Sequence, residues 1–455
     1  MANTLVFFCD EKSLYNLSRY NILPKFLHSD YHILATNEIA NKFPNIKNFI
    51  TYDSTWTKNE ISTFTDYLYI KNCLDKKNKA LNMILRTRIF GSYKVRNLKT
   101  TILYLKNMIS NLRKIDWKIV FKSKKITAEE LLNELRNTNL ILANDLEILD
   151  YIIDKLDIKS AISFTTLSDP KLFDFVEICD RKDITTHVFP DSWDNFSSAP
   201  YFPANIKSLQ VWSEQHVNEI YSLHPYYVGK IEVIGSYRIT KSLDYFVNSS
   251  KKENLKKNSI LRIVYLEGFM FEDFMSNFKK IIKSVAIYCT LRGSISEVEL
   301  IFRRYPLPKQ TEKKVESAVE KSLVENNILF LLKNSNSPFV IDDLRDIDFV
   351  ISDCTTAALE AIFAGLEVIF IGSRNSPRYI DTMKIYNFSF SKDLYSFFPV
   401  INLSSFFSTK KLKNKANEIL RRNDLIQKNP AMRLHPLDSY SYFALPLNTE
   451  IFNNF

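Results

Sequence analysis

Glycine is scarce in this sequence: there are seven in 455 residues, and only Gly91 stands before Gly229. The first half must therefore turn its chain on Asn, Asp, Ser and Pro. Cysteine is sparse too. Five cysteines (Cys9, Cys73, Cys179, Cys289, Cys354) form no CxxC pair, which excludes the common zinc spacings and a disulfide framework and points to a reducing cytoplasm. No apolar run approaches the roughly 18 residues of a membrane-spanning helix. The start, MANTLVFFCDEK, has no basic leader and does not read as a secretion signal. Internal repeats and nucleic-acid module signatures are absent from the sequence. A cytoplasmic protein, free or peripheral on the inner face of a membrane, is expected.

What is present is ordinary globular material with one uneven feature. A hydrophobic content of 45% and a charged content of 25% suit a soluble chain long enough for two domains. Between Lys76 and Lys125 stand fifteen Lys or Arg and one acid, Asp116, a net +14 that leaves −4 for the rest of a chain carrying +10. Phe90, Tyr93, Tyr104 and Trp117 lie in the same segment. A basic, aromatic-bearing stretch suits an anionic membrane surface or a phosphorylated partner. The plainer reading is a solvated face in a lysine-rich protein.

Short β-rich runs predict strands at Thr4–Phe8, Tyr31–Ala35, Asn48–Tyr52, Trp117–Phe121, Leu140–Ala143, Ala161–Phe164, Thr185–Phe189, Leu209–Trp212 and Glu232–Ile234. Helical patterns such as Ala128–Leu135 and Asp145–Leu156 lie between them. A polar stretch, 248–259, reads as a linker. Beyond it the alternation restarts. Strands are expected at Leu261–Leu266, Val298–Phe302, Ile328–Leu332, Phe349–Ser352 and Val368–Ile371. Helices are expected at Phe271–Cys289, Thr311–Val324, near Ile341–Arg345, and at Thr355–Ala364. This pattern predicts an α/β protein of two Rossmann-like, doubly wound parallel-sheet domains, residues 1–247 and 260–410, with a tail, 411–455, packing back on them.

The stretch Phe349–Gly372 carries the most chemistry. A buried strand ends at Ser352-Asp353, Thr355 and Thr356 open a helix, and Gly365 stops it before the next strand. The N–H groups and dipole of a helix start, at the carboxyl end of a parallel sheet, form an anion site. Glu360, about one and a half turns deeper, can accept two ribose hydroxyls. The competing reading is a well-capped βα unit with Glu360 solvated.

This stretch resembles the donor-nucleotide motif of glycosyltransferases with the GT-B architecture, two Rossmann-like domains facing a cleft. The resemblance implies that Thr355 and Thr356 meet phosphate and Glu360 meets ribose. Residues 207–238 are similar to a segment of bacterial surface-polysaccharide transferases, of the capsule and lipopolysaccharide kind, through Val211-Trp212 and Val233-Ile234-Gly235-Ser236-Tyr237-Arg238. There Gly235 and Ser236 would allow close approach to a ligand, and Arg238 would meet phosphate. Asp191-Ser192-Trp193-Asp194-Asn195 resembles a Ser-Trp-Asp-Asn signature of such proteins; a capped turn with a core Trp is the alternative. Arg303-Arg304-Tyr305-Pro306 stands where sialyltransferase-like and Kdo-transferase-like families read His-Pro and bind the phosphate of a CMP donor. Glu267-Gly268 matches their acid-Gly element, whose first acidic position is Leu266 here. Arg303 and Arg304 suit phosphate, or else a sheet-edge salt bridge.

The resemblance implies transfer of a sugar from a CMP- or UDP-sugar to a cell-surface glycan or glycolipid, with no cofactor. No DxD stands at a strand end, so no metal is expected. A base would come from Asp194 or Asp191, after strand Thr185–Phe189, or from His187 within it, where a core histidine is the alternative. A teichoic-acid-type phosphotransferase, a nucleotide-sugar epimerase and a non-catalytic partner subunit are alternatives on the same fold. A nucleic-acid partner is not expected.

Overall fold

Every residue of Thr4–Phe8 is buried, as in a strand covered on both faces, and the first sheet assembles around it. The computed structural model describes residues 3–27, 31–46, 49–75, 115–193, 199–249, 260–266, 281–303 (except 284, 291 and 292), 322–352 (except 336, 338 and 339), 355–372 (except 367), 400–402 and 445–448, with single positions 106, 109, 110 and 196.

The first sheet comprises β1 (Thr4–Phe8), β2 (Tyr31–Thr36), β3 (Phe49–Tyr52), β4 (Ser160–Thr165), β5 (Thr185–Pro190), β6 (Ser208–Val211) and β7 (Lys230–Val233). Its order is β3-β2-β1-β4-β5-β6-β7 and every pairing is parallel, so the winding reverses beside β1. Its helices are α1 (Glu11–Arg19), α2 (Asn37–Asn41), α3 (Lys58–Leu74), α4 (Trp117–Ser123), α5 (Ala128–Asn137), α6 (Leu146–Leu156), α7 (Pro170–Arg181) and α8 (Glu214–Leu223). Phe7 stacks on Phe175 of α7 at 4.3 Å, within a core that also holds Leu149, Ile153, Val188 and Leu209. The turn residues follow from the shortage of glycine: Asn21, Asn139, Asp157 and Asp183 take positive φ (49–59°), a conformation that short polar side chains tolerate.

A second parallel-sheet unit follows: α9 (Tyr237–Ser249), β8 (Ile260–Leu266), β9 (Glu297–Arg303), β10 (Ser322–Glu325), β11 (Ile328–Asn334), α10 (Val340–Asp343), β12 (Phe349–Ser352), α11 (Thr356–Phe363), β13 (Val368–Gly372) and β14 (Val400–Asn402). The order is β10-β11-β9-β8-β12-β13-β14, with the reversal beside β8. All pairs are parallel except β10 with β11.

The compact units are Met1–Ser236 with Leu447–Phe455, and Tyr237–Pro446. The division falls ahead of the polar stretch 248–259, because α9 packs on α11 and the Tyr245 hydroxyl donates to the carbonyl of Leu344. Three expectations are corrected. Trp117–Phe121 is the start of helix α4: Asp116 caps it, accepting from the amides of Lys118 and Ile119, and Ile119, Val120 and Ser123 fall on one buried face. Packing there overrides β propensity. Leu140–Ala143 has no ladder partner; the amides of Leu142 and Ala143 donate instead to the Glu60 carboxylate. Residues 322–324, expected to end a helix, form β10, because Asn326 and Asn327 (φ 51° and 62°) make a two-residue hairpin turn.

Candidate functional site

The second sheet brings its chemistry to the carboxyl end of β12. Ser352 ends that strand, fully buried, with its Oγ 3.4 Å from Thr355 Oγ1. Thr355 is extended (φ −139°, ψ 156°) and its hydroxyl accepts from the amide of Ala358, capping α11. The first turn of α11 carries no acid, and its Ala358, Leu359, Ala361, Ile362 and Phe363 are buried. The helix start therefore keeps its positive end at the strand edge where the winding reverses.

Glu360 is buried rather than solvated. It lies 3.4 Å from Arg238 Nη1 of α9, so two residues singled out in separate motifs form one ion pair. Arg303, at the end of β9, takes the salt-bridge alternative. Its Nη1 donates to Asp343 at 2.5 Å, to the carbonyl of Ser337 at 3.0 Å and to Ser335 Oγ at 3.3 Å. Arg304, Tyr305, Glu267 and Gly268 lie outside the described residues, as does Asp194.

The first sheet carries acids at its carboxyl edge. Asp10, two residues after β1, caps α1: its Oδ1 accepts from the amide of Ser13 at 2.8 Å and the hydroxyl at 3.0 Å. Asp191, directly after β5, is buried; its Oδ1 accepts from Asn16 Nδ2 at 2.8 Å and its Oδ2 pairs with Lys12 at 2.9 Å. Asp169, four residues after β4, caps α7 beside Lys171. Burial, and then the charge of Asp191, push the Asp10 carboxyl upward. Burial pushes Asp169 up to about 6, with Asp10 adding and Lys171 opposing. Both are thus carboxyls with a tightened hold on a proton near the reversal point. Sequence reasoning missed Asp10 and Asp169. The available signal was position, since each follows a predicted strand and opens a helix, and Asp169 precedes Pro170.

His187 is not part of this group. It stands mid-strand with its Nδ1 3.5 Å from Gln210 Nε2, in a row that includes Ser208 and Glu232, and burial pulls it down to about 4, so it is neutral near pH 7. Gly235 follows β7 with φ +87°, a left-handed backbone that favours glycine, and its amide donates to the carbonyl of Val211. Ser236 beside it is buried.

The described residues after β5 bond to α8 and to the residues on either side of it. Trp212 Nε1 donates to the carbonyl of Pro190 at 3.1 Å. His216 Nδ1 accepts from the Trp212 amide, which leaves the proton on Nε2 to donate to the carbonyl of Trp193 at 2.8 Å. His224 Nε2 meets the carbonyl of Phe196 at 2.7 Å. Trp193 is a core residue.

Among the described residues, no group of three or more His, Cys, Asp or Glu is placed to hold a metal ion, and no helix is long and apolar enough to cross a membrane.

Comparison with known proteins gives the fold. No family model matches the chain, and no curated protein matches its sequence. Solved structures do. MurG of Acinetobacter baumannii is similar over 99% of each chain, at 9% identity and a TM-score of 0.50. A putative UDP-N-acetylglucosamine 2-epimerase from Listeria monocytogenes matches over 100% of this chain and 94% of its own, at 10% identity and a TM-score of 0.47. The UDP-forming trehalose-phosphate synthase of Burkholderia xenovorans matches over 100% and 97%, at 9% identity and a TM-score of 0.45. The chain has the α/β fold class of the GT-B proteins, two Rossmann-like units each built on a doubly wound sheet.

Proposed function

We infer that this chain is a glycosyltransferase that moves a sugar from a nucleotide-sugar donor to a cell-surface glycan or lipid-linked acceptor, acting in the cytoplasm without a bound metal. The observation that carries this reading is the hydroxyl-capped start of α11 at the reversal point of the second sheet, with no acid in its first turn. Sugar transfer leaves negative charge on the departing nucleotide, and the amides and dipole of the helix start at Thr355 and Thr356 stabilise it without reorganising. Arg304 and Tyr305, which follow β9 in the sequence, are proposed as further hydrogen-bond donors to phosphate. Glu360 and Arg238 serve as a pair, the carboxylate orienting the guanidinium or receiving ribose hydroxyls. In an inverting reaction a carboxylate of the first unit, Asp191 or Asp194, takes the acceptor proton. CMP- and UDP-sugars are the donor classes proposed.

A nucleotide-sugar epimerase is the second reading, and one observation favours it. Epimerisation needs several acid–base groups, and Asp10, Asp169 and Asp191 gather at one sheet edge with two of them holding protons tightly.

Thermal melting with CMP, UDP, GDP and CDP tests both readings. One nucleotide should stabilise the wild type and lose its effect in Glu360→Gln, a change that keeps the shape of the buried side chain. Stabilisation by none of the four removes the nucleotide-sugar reading. If UDP binds, deuterium entering the sugar ring of UDP-GlcNAc from heavy water marks an epimerase, and its absence beside transfer to an acceptor marks a transferase.

A further inference from the structure

The outer face of α4 carries chemistry that neither the core nor the strand-end groups use. Inward, Ile119 and Val120 pack in a cluster with Leu131, Leu132 and Leu135, and Ser123 bonds back to the carbonyl of Val120. Outward stand Trp117 and Phe121, one turn apart, 48% and 71% exposed, with ring centroids 6.5 Å apart. Lys118, Lys122, Lys124 and Lys125 are exposed around them. The nearby acids are already engaged: Asp116 caps the helix, and Glu134 pairs with Lys122 at 2.5 Å. Two large rings in water, ringed by cations, make an amphipathic face whose apolar side chains have no core partner among the described residues.

The charge selects the occupant. A second copy of the same face would bring four lysines against four lysines, which opposes self-association. A bilayer with anionic headgroups satisfies both features, since aromatic rings settle at the headgroup level while lysines reach the phosphates. We propose that the α4 face formed by Trp117, Lys118, Phe121, Lys124 and Lys125 docks the protein on an anionic phospholipid surface. This goes beyond the nucleotide-sugar reading and does not depend on it.

The test is flotation of the full chain with vesicles of phosphatidylcholine alone or mixed with phosphatidylglycerol. The chain should float with the anionic vesicles only, and less as salt is raised. Lys118→Gln/Lys124→Gln/Lys125→Gln should weaken the partition about a hundredfold. Trp117→Ser/Phe121→Ser should weaken it roughly tenfold or more. Both sets change solvent-exposed side chains, so circular dichroism melts should match the wild type, and nucleotide binding should be unchanged. Equal flotation of wild type and both variants overturns the proposal, as does equal flotation with neutral vesicles. A dimer in sedimentation that the Trp117/Phe121 variant dissociates would assign the face to a second copy and likewise overturn it.

Discussion

Helices α1 and α11 each start at a carboxyl edge beside the point where their sheet reverses, α1 after the strand on one side of it and α11 after the strand on the other, yet their caps differ in kind. Asp10 caps α1, Glu11 follows in its first turn, and Asp191 stands close enough to raise the Asp10 carboxyl. The positive end of α1 is already neutralised, and a phosphate there would meet two carboxylates. Thr355 caps α11 with a neutral oxygen and no acid follows in the first turn. The same architecture therefore repels an anion in one unit and favours it in the other.

The largest expected effect tests whether the first unit keeps its charges as structure. Buried Asp174 accepts from Arg136 at 2.7 Å, from Trp56 Nε1 at 2.9 Å and from the Asp145 amide at 3.2 Å. Arg136→Ala strands that carboxylate and should cost about 3–5 kcal/mol in urea unfolding. Next, Thr355→Asp copies the cap of α1 onto α11. Asp caps as well as Thr, so folding should persist, while nucleotide affinity measured by calorimetry should fall roughly tenfold to a hundredfold. Unchanged affinity would break the comparison. Thr355→Ala should instead cost about 1 kcal/mol of stability through the lost cap.

Asp169 gives a smaller effect with a defined pH window. Its folded carboxyl titrates at about 6, above the ordinary Asp value of about 3.9, so the folded state holds the proton more tightly. That stabilisation is complete below about pH 4 and is lost as pH rises through about 6. Asp169→Asn should therefore raise stability at pH 7 by about 1–2 kcal/mol, and the gain should vanish by about pH 4 in thermal melts. The gain stays below the full cost of ionisation because Lys171 loses its partner. His187 runs the other way. Its folded value near 4 means the fold favours the neutral ring, so stability is present above about pH 6.5 and declines as pH falls toward 4. His187→Gln should flatten that slope slightly.

The strands were readable where an apolar run was bounded by turn residues, and Thr4–Phe8 and Phe349–Ser352 fall where expected. Helix α11 and its cap were readable for the same reason, since Thr-Thr after a buried strand is a local signal. Runs whose fate rests on distant partners were not. Trp117–Phe121 has strand-forming residues but is folded onto α5, and Leu140–Ala143 is captured by Glu60, some eighty positions away. The Arg238–Glu360 pair joins positions 122 residues apart and has no local signature. Asp10 and Asp169 were passed over because each also reads as an ordinary helix cap; only the topology sets them beside one reversal point.

The β10–β11 hairpin has a consequence for how the second sheet comes together. Each parallel pair waits for a crossover to be threaded, whereas Glu325 and Ile328 meet across two asparagines and such a hairpin closes in about 1–10 μs. That edge is thus assembled from a contact local in sequence. It ends in a four-residue strand, a poor template for strands of neighbouring chains during the slower pairing of the rest.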